Sequence, residues 1–239
     1  MITIKNIFYE NDFQNLIFNN IDYVNDNYNI DKLIIDNYSS DYDIYQFGTF
    51  QGYTLSGLFK YIKENNLLFN NFIGFDSLEG LPLENLDINN NVHWTPGKYS
   101  ISDVLNKTDI SVDEYKEYLF STQKIPIEYE NNIVIFKGFY ETSLNDDLLK
   151  YLKPALFIDI DCDIYTSTIQ VLDFIFKNKL YVNGKTIIRY DDWANNNMEY
   201  QTGQSKAHLE ITQKYNIDCE LLLKHSYNKD PEATWWLIK

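Results

Sequence analysis

Asp161 and Asp163, two residues apart after the apolar run at 155–160, and the adjacent Asp191 and Asp192, after the run at 186–190, place four carboxylates behind two strand-like segments. Runs of that length, β-branching and hydrophobicity read as strands buried on both faces, as in a parallel α/β sheet. Acids that follow such strands face the ligand crevice at the carboxyl edge of the sheet. Several like charges there repel one another unless a cation or a shared proton relieves them. A hard divalent ion held by oxygens is the natural relief, magnesium first and calcium next. Zinc fits poorly, because the chain has two cysteines and three histidines and none forms a ligand pair at zinc spacing.

A second group is the turn Tyr45-Gln46-Phe47-Gly48-Thr49-Phe50-Gln51-Gly52 between a strand and a helix, where glycine lets a ligand approach the backbone. Phe50 stands where a dinucleotide-binding turn carries its middle glycine, which disfavours a pyrophosphate and suits a nucleoside without phosphates. Asp76 ends the next strand, where it can accept hydrogen bonds from ribose hydroxyls. The plainer alternative for this segment is that Gly48 and Gly52 make a tight turn and Asp76 caps a helix.

These groups need a scaffold. Apolar positions at mixed helical spacing over 12–38 predict one or two helices ahead of the sheet. Strands follow at 43–50, 71–76, 132–137, 155–160 and 186–190, with helices at 53–64, 144–152, 167–177 and 205–215 between them. The last two strands, 219–225 and 233–239, flank a turn-rich Tyr-Asn-Lys-Asp-Pro and read as an antiparallel hairpin. The pattern predicts a single α/β domain over 1–239, a doubly wound, mostly parallel sheet of seven strands closed by that hairpin. Residues 1–42 form an amino-terminal helical extension. The long excursion at 83–131 reads as a lid or acceptor-recognition insertion, with one helix announced by the capping box Ser111-Val-Asp-Glu114.

Twenty basic against 35 acidic residues give a net charge of −15, which repels a polyphosphate backbone and argues against nucleic acid as a partner. No run reaches the roughly 18 apolar residues needed to span a bilayer. Cys162 and Cys219 are too few for a disulfide framework, and the amino terminus lacks the layout of a secretion signal. Both features lead to the expectation of a cytoplasmic protein. The amphipathic amino-terminal region offers a surface for a second copy of the chain.

Five segments taken together, at 47–55, 72–82, 136–144, 161–168 and 191–193, resemble the macrocin O-methyltransferase family in order and content, and Gly203-Gln-Ser-Lys-Ala207 fits its next helix start. The resemblance runs over residues 43–239. It implies a seven-stranded Rossmann-like methyltransferase sheet and a metal-dependent enzyme that uses S-adenosylmethionine to methylate a hydroxyl of a sugar or glycan. By it, Asp161, Asp191 and Asp192 hold the metal and Asp163 is the general base. Gln46, Phe47, Gly48, Thr49, Phe50, Gly52, Asp76, Ser77, Lys137, Gly138 and Asp161 lie around the cofactor. Gln46 departs from the family, which has an acid there to hold the amino group of the methionine moiety, so weaker cofactor binding is expected. His93, Trp94, Tyr165, Trp193 and His208 are candidate acceptor contacts, although an isolated histidine is more often a packing or surface residue.

Alternate residues of an ideal strand share a face about 6.6–6.8 Å apart, a spacing that suits two different roles for Asp161 and Asp163 better than two identical ones. The alternative role for Asp163 is a cap on the helix that follows. A metal-dependent glycosyltransferase would explain Asp161 and Asp163 while leaving the glycine turn, Asp76 and the Asp191–Asp192 pair without roles. A non-catalytic binding module on the same scaffold is a further alternative, motivated by Gln46.

Overall fold

The computed structural model describes residues 21–25, 27–83, 94–194, 198–227 and 230–239. Among the described residues, eight strands form one sheet: β1 (Ile21–Val24), β2 (Asp43–Phe47), β3 (Phe72–Asp76), β4 (Ile133–Lys137), β5 (Ala155–Ile160), β6 (Ile187–Tyr190), β7 (Cys219–Tyr227) and β8 (Asp230–Ile238). Their order across the sheet is β1-β7-β8-β6-β5-β2-β3-β4. The five strands β4, β3, β2, β5 and β6 run parallel, while β8, β7 and β1 join antiparallel.

The seven predicted strands are present in a Rossmann-like arrangement, and the carboxyl-terminal pair is the expected hairpin. An eighth strand is the difference. Residues 21–24 pair with β7 instead of continuing a helix, and within the predicted helical stretch only Ile30–Asn37 is helical (α1) among the described residues. A free edge of β7 offers backbone partners that overrule apolar spacing in a short segment. Residues 1–20 of the proposed extension lie outside the described residues.

Helices cover both faces. With α1, α2 (Tyr53–Asn65) packs on the face that carries Ile44, Phe72, Phe157, Ile187 and Trp235. On the other face, α6 (Tyr165–Lys177) and α7 (Gly203–Tyr215) cover Tyr45, Phe47, Ile73, Phe75, Ile158, Ile160, Ile188 and Tyr190. The excursion contributes α3 (Ile101–Leu105) and α4 (Val112–Ser121), the latter opened by the predicted Ser111–Glu114 capping box. The single helix expected at 144–152 is instead a short α5 (Tyr140–Ser143) followed by a 3₁₀ turn at Asp146–Tyr151. The Asn145 side chain accepts from the Asp147 N–H and starts a new turn there. No helix among the described residues is long and apolar enough to cross a membrane.

The chain order reverses between β2 and β5, so their carboxyl ends part and leave a crevice. Gly48 sits at that point with φ +84°, and a Cβ there would stand 1.8 Å from the carbonyl oxygen of Asp161. Gly184 also has positive φ, +72°, but nothing lies within 4 Å of its would-be Cβ. Gly184→Ala should therefore cost only the left-handed conformation, roughly 1–2 kcal/mol. Gly48→Ala should cost clearly more in urea unfolding, because backbone must move as well. Equal losses would show that the approach of Gly48 to Asp161 is not tight.

Candidate functional site

The crevice opens into a cavity of about 730 Å³. That volume accommodates a nucleoside with an appended amino acid and leaves space at the mouth. Its wall includes Gln46, Gly48, Thr49, Phe50 and Gly52 from the glycine turn, Asp76 and Ser77 from the end of β3, Gly138 after β4, and Asp161, Asp163, Asp191 and Asp192. Phe47 and Lys137 are not in it. Phe47 alternates to the opposite face and stacks on Phe75 at 4.5 Å, and Lys137 turns outward to Asp109 at 2.9 Å.

Asp76 holds the glycine turn in place. Its Oδ2 accepts from the Thr49 N–H at 2.7 Å and the Phe50 N–H at 2.9 Å, and its Oδ1 accepts from the Leu78 N–H at 2.7 Å. Phe50 at φ 37° lies in the left-handed region that costs a residue with a Cβ, and those charge-assisted bonds hold it there, while Gly52 takes φ +75° freely. Asp76 thus organises the turn itself and is not a helix cap.

The carboxylates of Asp161, Asp163 and Asp192 converge, with one oxygen of each within 4.8 Å of the others. β5 ends at Ile160, and Asp163 adopts φ 60°, so the chain has left the strand before the second acid. The strand spacing of about 6.6–6.8 Å therefore does not apply between Asp161 and Asp163, and the left-handed turn draws them together. Asp163 is no helix cap either, since α6 starts from Ile164 without a side-chain cap. Asp191, expected in the ligand set, instead pairs with the Nη2 of Arg189. Asp191 stays on the cavity wall, and its partner lies in the middle of β6, which reads in the sequence as an apolar strand.

Burial, then the charges of Asp191, Asp159 and Asp163, push the Asp161 carboxyl well above its usual range. Burial likewise raises Asp163 from 3.8 to about 6, although hydrogen bonds with Asp192 and Trp94 pull it back. Tyr99 is raised by burial and then by Asp163, Asp192 and Asp161, which places its ring beside the same cluster. An all-oxygen set of this kind suits a hard divalent ion. Oxygens on opposite sides of one Mg²⁺ or Ca²⁺ lie about 4–5 Å apart at ordinary bond lengths.

Two residues of the excursion reach this cluster. Trp94 lines the cavity and hydrogen bonds Asp163, and Tyr99 packs edge-on against Phe50 at 5.7 Å. His93 lies outside the described residues. The other candidate acceptor contacts are placed elsewhere. Trp193 is fully buried and its Nε1 donates to Glu199 at 2.6 Å. His208 sits in a cage of Tyr190, Trp193 and Trp236, and burial lowers it to about 3, so it is neutral and structural. The Tyr165 hydroxyl donates to Glu210 on α7, away from the cavity. Trp193 and His208 thus pack inward against the sheet and each other instead of lining the cavity.

Asp159 and Arg189, not among the residues expected at the site, form a buried pair inside β5 and β6, with Arg189 Nη1 donating to Asp159 Oδ1 at 2.7 Å. The available signal was a lone charge in each of two otherwise apolar strands.

No family model and no curated protein matches the sequence. Solved structures do resemble the fold. The O-methyltransferase NovP superposes with a TM-score of 0.58 over 87% of this chain and 75% of its own, at 16% identity. CalS11, a calicheamicin methyltransferase, gives 0.53 over 85% and 74%, also at 16%. The chain shares the Rossmann-like fold of these two methyltransferases.

Because Asp163 rises from 3.8 to about 6, the folded state keeps a proton that the unfolded chain has released. Its contribution to stability is therefore lost as pH rises between about 4 and 6, and a cation should restore it. The increase in melting temperature produced by Mg²⁺ should be larger at about pH 7.5 than at about pH 5, where protons compete for the same oxygens. The same increase at both values, or none, would count against a cation site here.

Proposed function

We propose that this protein is an S-adenosylmethionine-dependent O-methyltransferase acting on a sugar or glycan hydroxyl, assisted by a divalent metal. The observation that carries the reading is the joining of a nucleoside-sized cavity with a converging carboxylate trio at the switch point of a methyltransferase fold. The like folds of NovP and CalS11 support the methyl-transfer part. The resemblance of five ordered segments to the macrocin family supports the sugar acceptor.

The cavity suits the cofactor. Among the described residues, Gln46 Oε1 is buried without a hydrogen-bond partner on the cavity wall, an acceptor open to a donor such as the methionyl ammonium group. When bound, S-adenosylmethionine supplies an electrophilic methyl group on a sulfonium. Asp161 and Asp192 are the residues that would hold the ion, which would supply Lewis acidity toward a poorly acidic hydroxyl. Asp191 stands behind them, paired to Arg189.

Asp163 takes the hydroxyl proton on a carboxylate oxygen. A carboxyl raised to about 6 is ionised at neutral pH yet basic enough to share a proton in the transition state. Trp94 steadies it by hydrogen bonding. Tyr53, 57% exposed, and Tyr99, 37% exposed, line the cavity and offer aromatic surface suited to the apolar C–H face of a sugar. The segment that carries Trp94 and Tyr99 would then serve as the acceptor-recognition element.

Calorimetric titration of S-adenosylhomocysteine, with magnesium and with a chelator, should give saturable micromolar binding. No binding in either condition would redirect attention to a nucleotide sugar and a glycosyltransferase. Asp163→Asn should lower turnover by about two to four orders of magnitude while leaving the metal requirement unchanged. A raised metal requirement in that variant would place Asp163 among the ligands and leave the proton to another group.

A further inference from the structure

A polar row crosses the sheet beneath the cavity. Gln46 of β2 pairs in register with Asp159 of β5, and Asp159 with Arg189 of β6, all on the face that carries Ile44, Phe157 and Ile187 one step below. The three are 2%, 1% and 2% exposed. Arg189 Nη1 donates to Asp159 Oδ1 at 2.7 Å, and Gln46 Nε2 donates to Asp159 Oδ2 at 3.2 Å.

An amide has a donating and an accepting end, and only the donating end can face a carboxylate. With Nε2 committed to Asp159, Gln46 must present Oε1 to the other side. That oxygen, on the wall of the cavity, has no partner among the described residues. Arg189 in turn holds the Asp159 carboxylate between its own guanidinium and the amide, and it is itself anchored by Asp191.

We propose that Asp159 and Arg189 are positioning residues that lock the Gln46 amide with its oxygen toward the cavity, so that it accepts a hydrogen bond from a protonated amine. On the methyltransferase reading, on which this inference rests, the amine is the methionyl ammonium of the cofactor. Gln46 is then not a weakened acid. The negative charge facing that ammonium sits one strand away on Asp159 and reaches it through the amide dipole.

The test compares two ligands at about pH 8 with magnesium by calorimetry on the whole chain. S-adenosylhomocysteine carries the amino-acid group, and 5′-methylthioadenosine carries the nucleoside and sulfur without it. Asp159→Asn frees the Gln46 amide to rotate and should weaken S-adenosylhomocysteine about tenfold or more while leaving 5′-methylthioadenosine unchanged. Gln46→Glu should also weaken S-adenosylhomocysteine, because it sets one carboxylate against another. The double variant Gln46→Glu with Asp159→Asn inverts donor and acceptor. The side-chain amide then at position 159 would donate to the carboxylate at position 46 and still accept from Arg189, so wild-type affinity should return.

Equal weakening of both ligands by Asp159→Asn would mean a merely structural role and overturn the proposal. Tighter binding by Gln46→Glu alone would overturn it too, since that result belongs to a lost acid with no relay behind it. If the wild-type protein binds 5′-methylthioadenosine and S-adenosylhomocysteine but Asp159→Asn changes neither, the relay falls and the methyltransferase reading stands. If the wild type binds neither, both fall together.

Discussion

Burying carboxylates at the two edges of a parallel sheet is costly unless each finds compensation, and the way this chain meets that cost shapes its sheet and its crevice. Three solutions operate side by side. Asp43, at the amino-terminal edge, accepts from Asn70, from the Asn71 N–H and from the Lys153 N–H, and joins three strand starts. Asp76 takes backbone N–H groups and shapes the glycine turn. Asp159 and Asp191 share one guanidinium. Among the described acids of the crevice, Asp161, Asp163 and Asp192 face one another, and the proposed cation would offset their charge.

The same constraint links the fold to the chemistry. The crevice exists because β5 returns to the opposite side of β2 from β3, and the parting strands expose their carboxyl ends. Gly48 allows the turn after β2 to pass against the backbone of Asp161, so the glycine turn and the acid cluster become two walls of one cavity. The segment after residue 94 closes over the acids. The Leu81 N–H donates to the Lys98 carbonyl and the Gly97 N–H to the Leu81 carbonyl, while Ser100 and Ser102 bond the Leu78 carbonyl. These bonds tie the excursion to the loop after β3. Trp94 and Tyr99 are thereby carried to Asp163 and Phe50.

Much of the scaffold was legible before the structure. Continuous apolar runs marked β5 and β6, the Ser111 capping box marked α4, and the turn-rich Tyr-Asn-Lys-Asp-Pro marked the terminal hairpin, because each signal is local and depends on few neighbours. The edge strand at 21–24 was missed because its pairing partner lies about two hundred residues away in the chain. Phe47, Trp193 and His208 were assigned to the site from their place beside motif residues. Which face each side chain meets is set by strand alternation and by the helix packed above it.

The chain's sequence by itself determined the α/β class, the strand-end position of the four carboxylates and the glycine turn, since hydrophobic period and turn chemistry act over short stretches. Tertiary structure decided the rest. It moved Asp163 into the acid cluster through a left-handed turn and drew Asp191 toward Arg189. It also aligned Gln46, Asp159 and Arg189 in a single buried row. Those outcomes depend on strand register and on which charges share a low-dielectric interior, and neither is encoded in the spacing of residues along one segment.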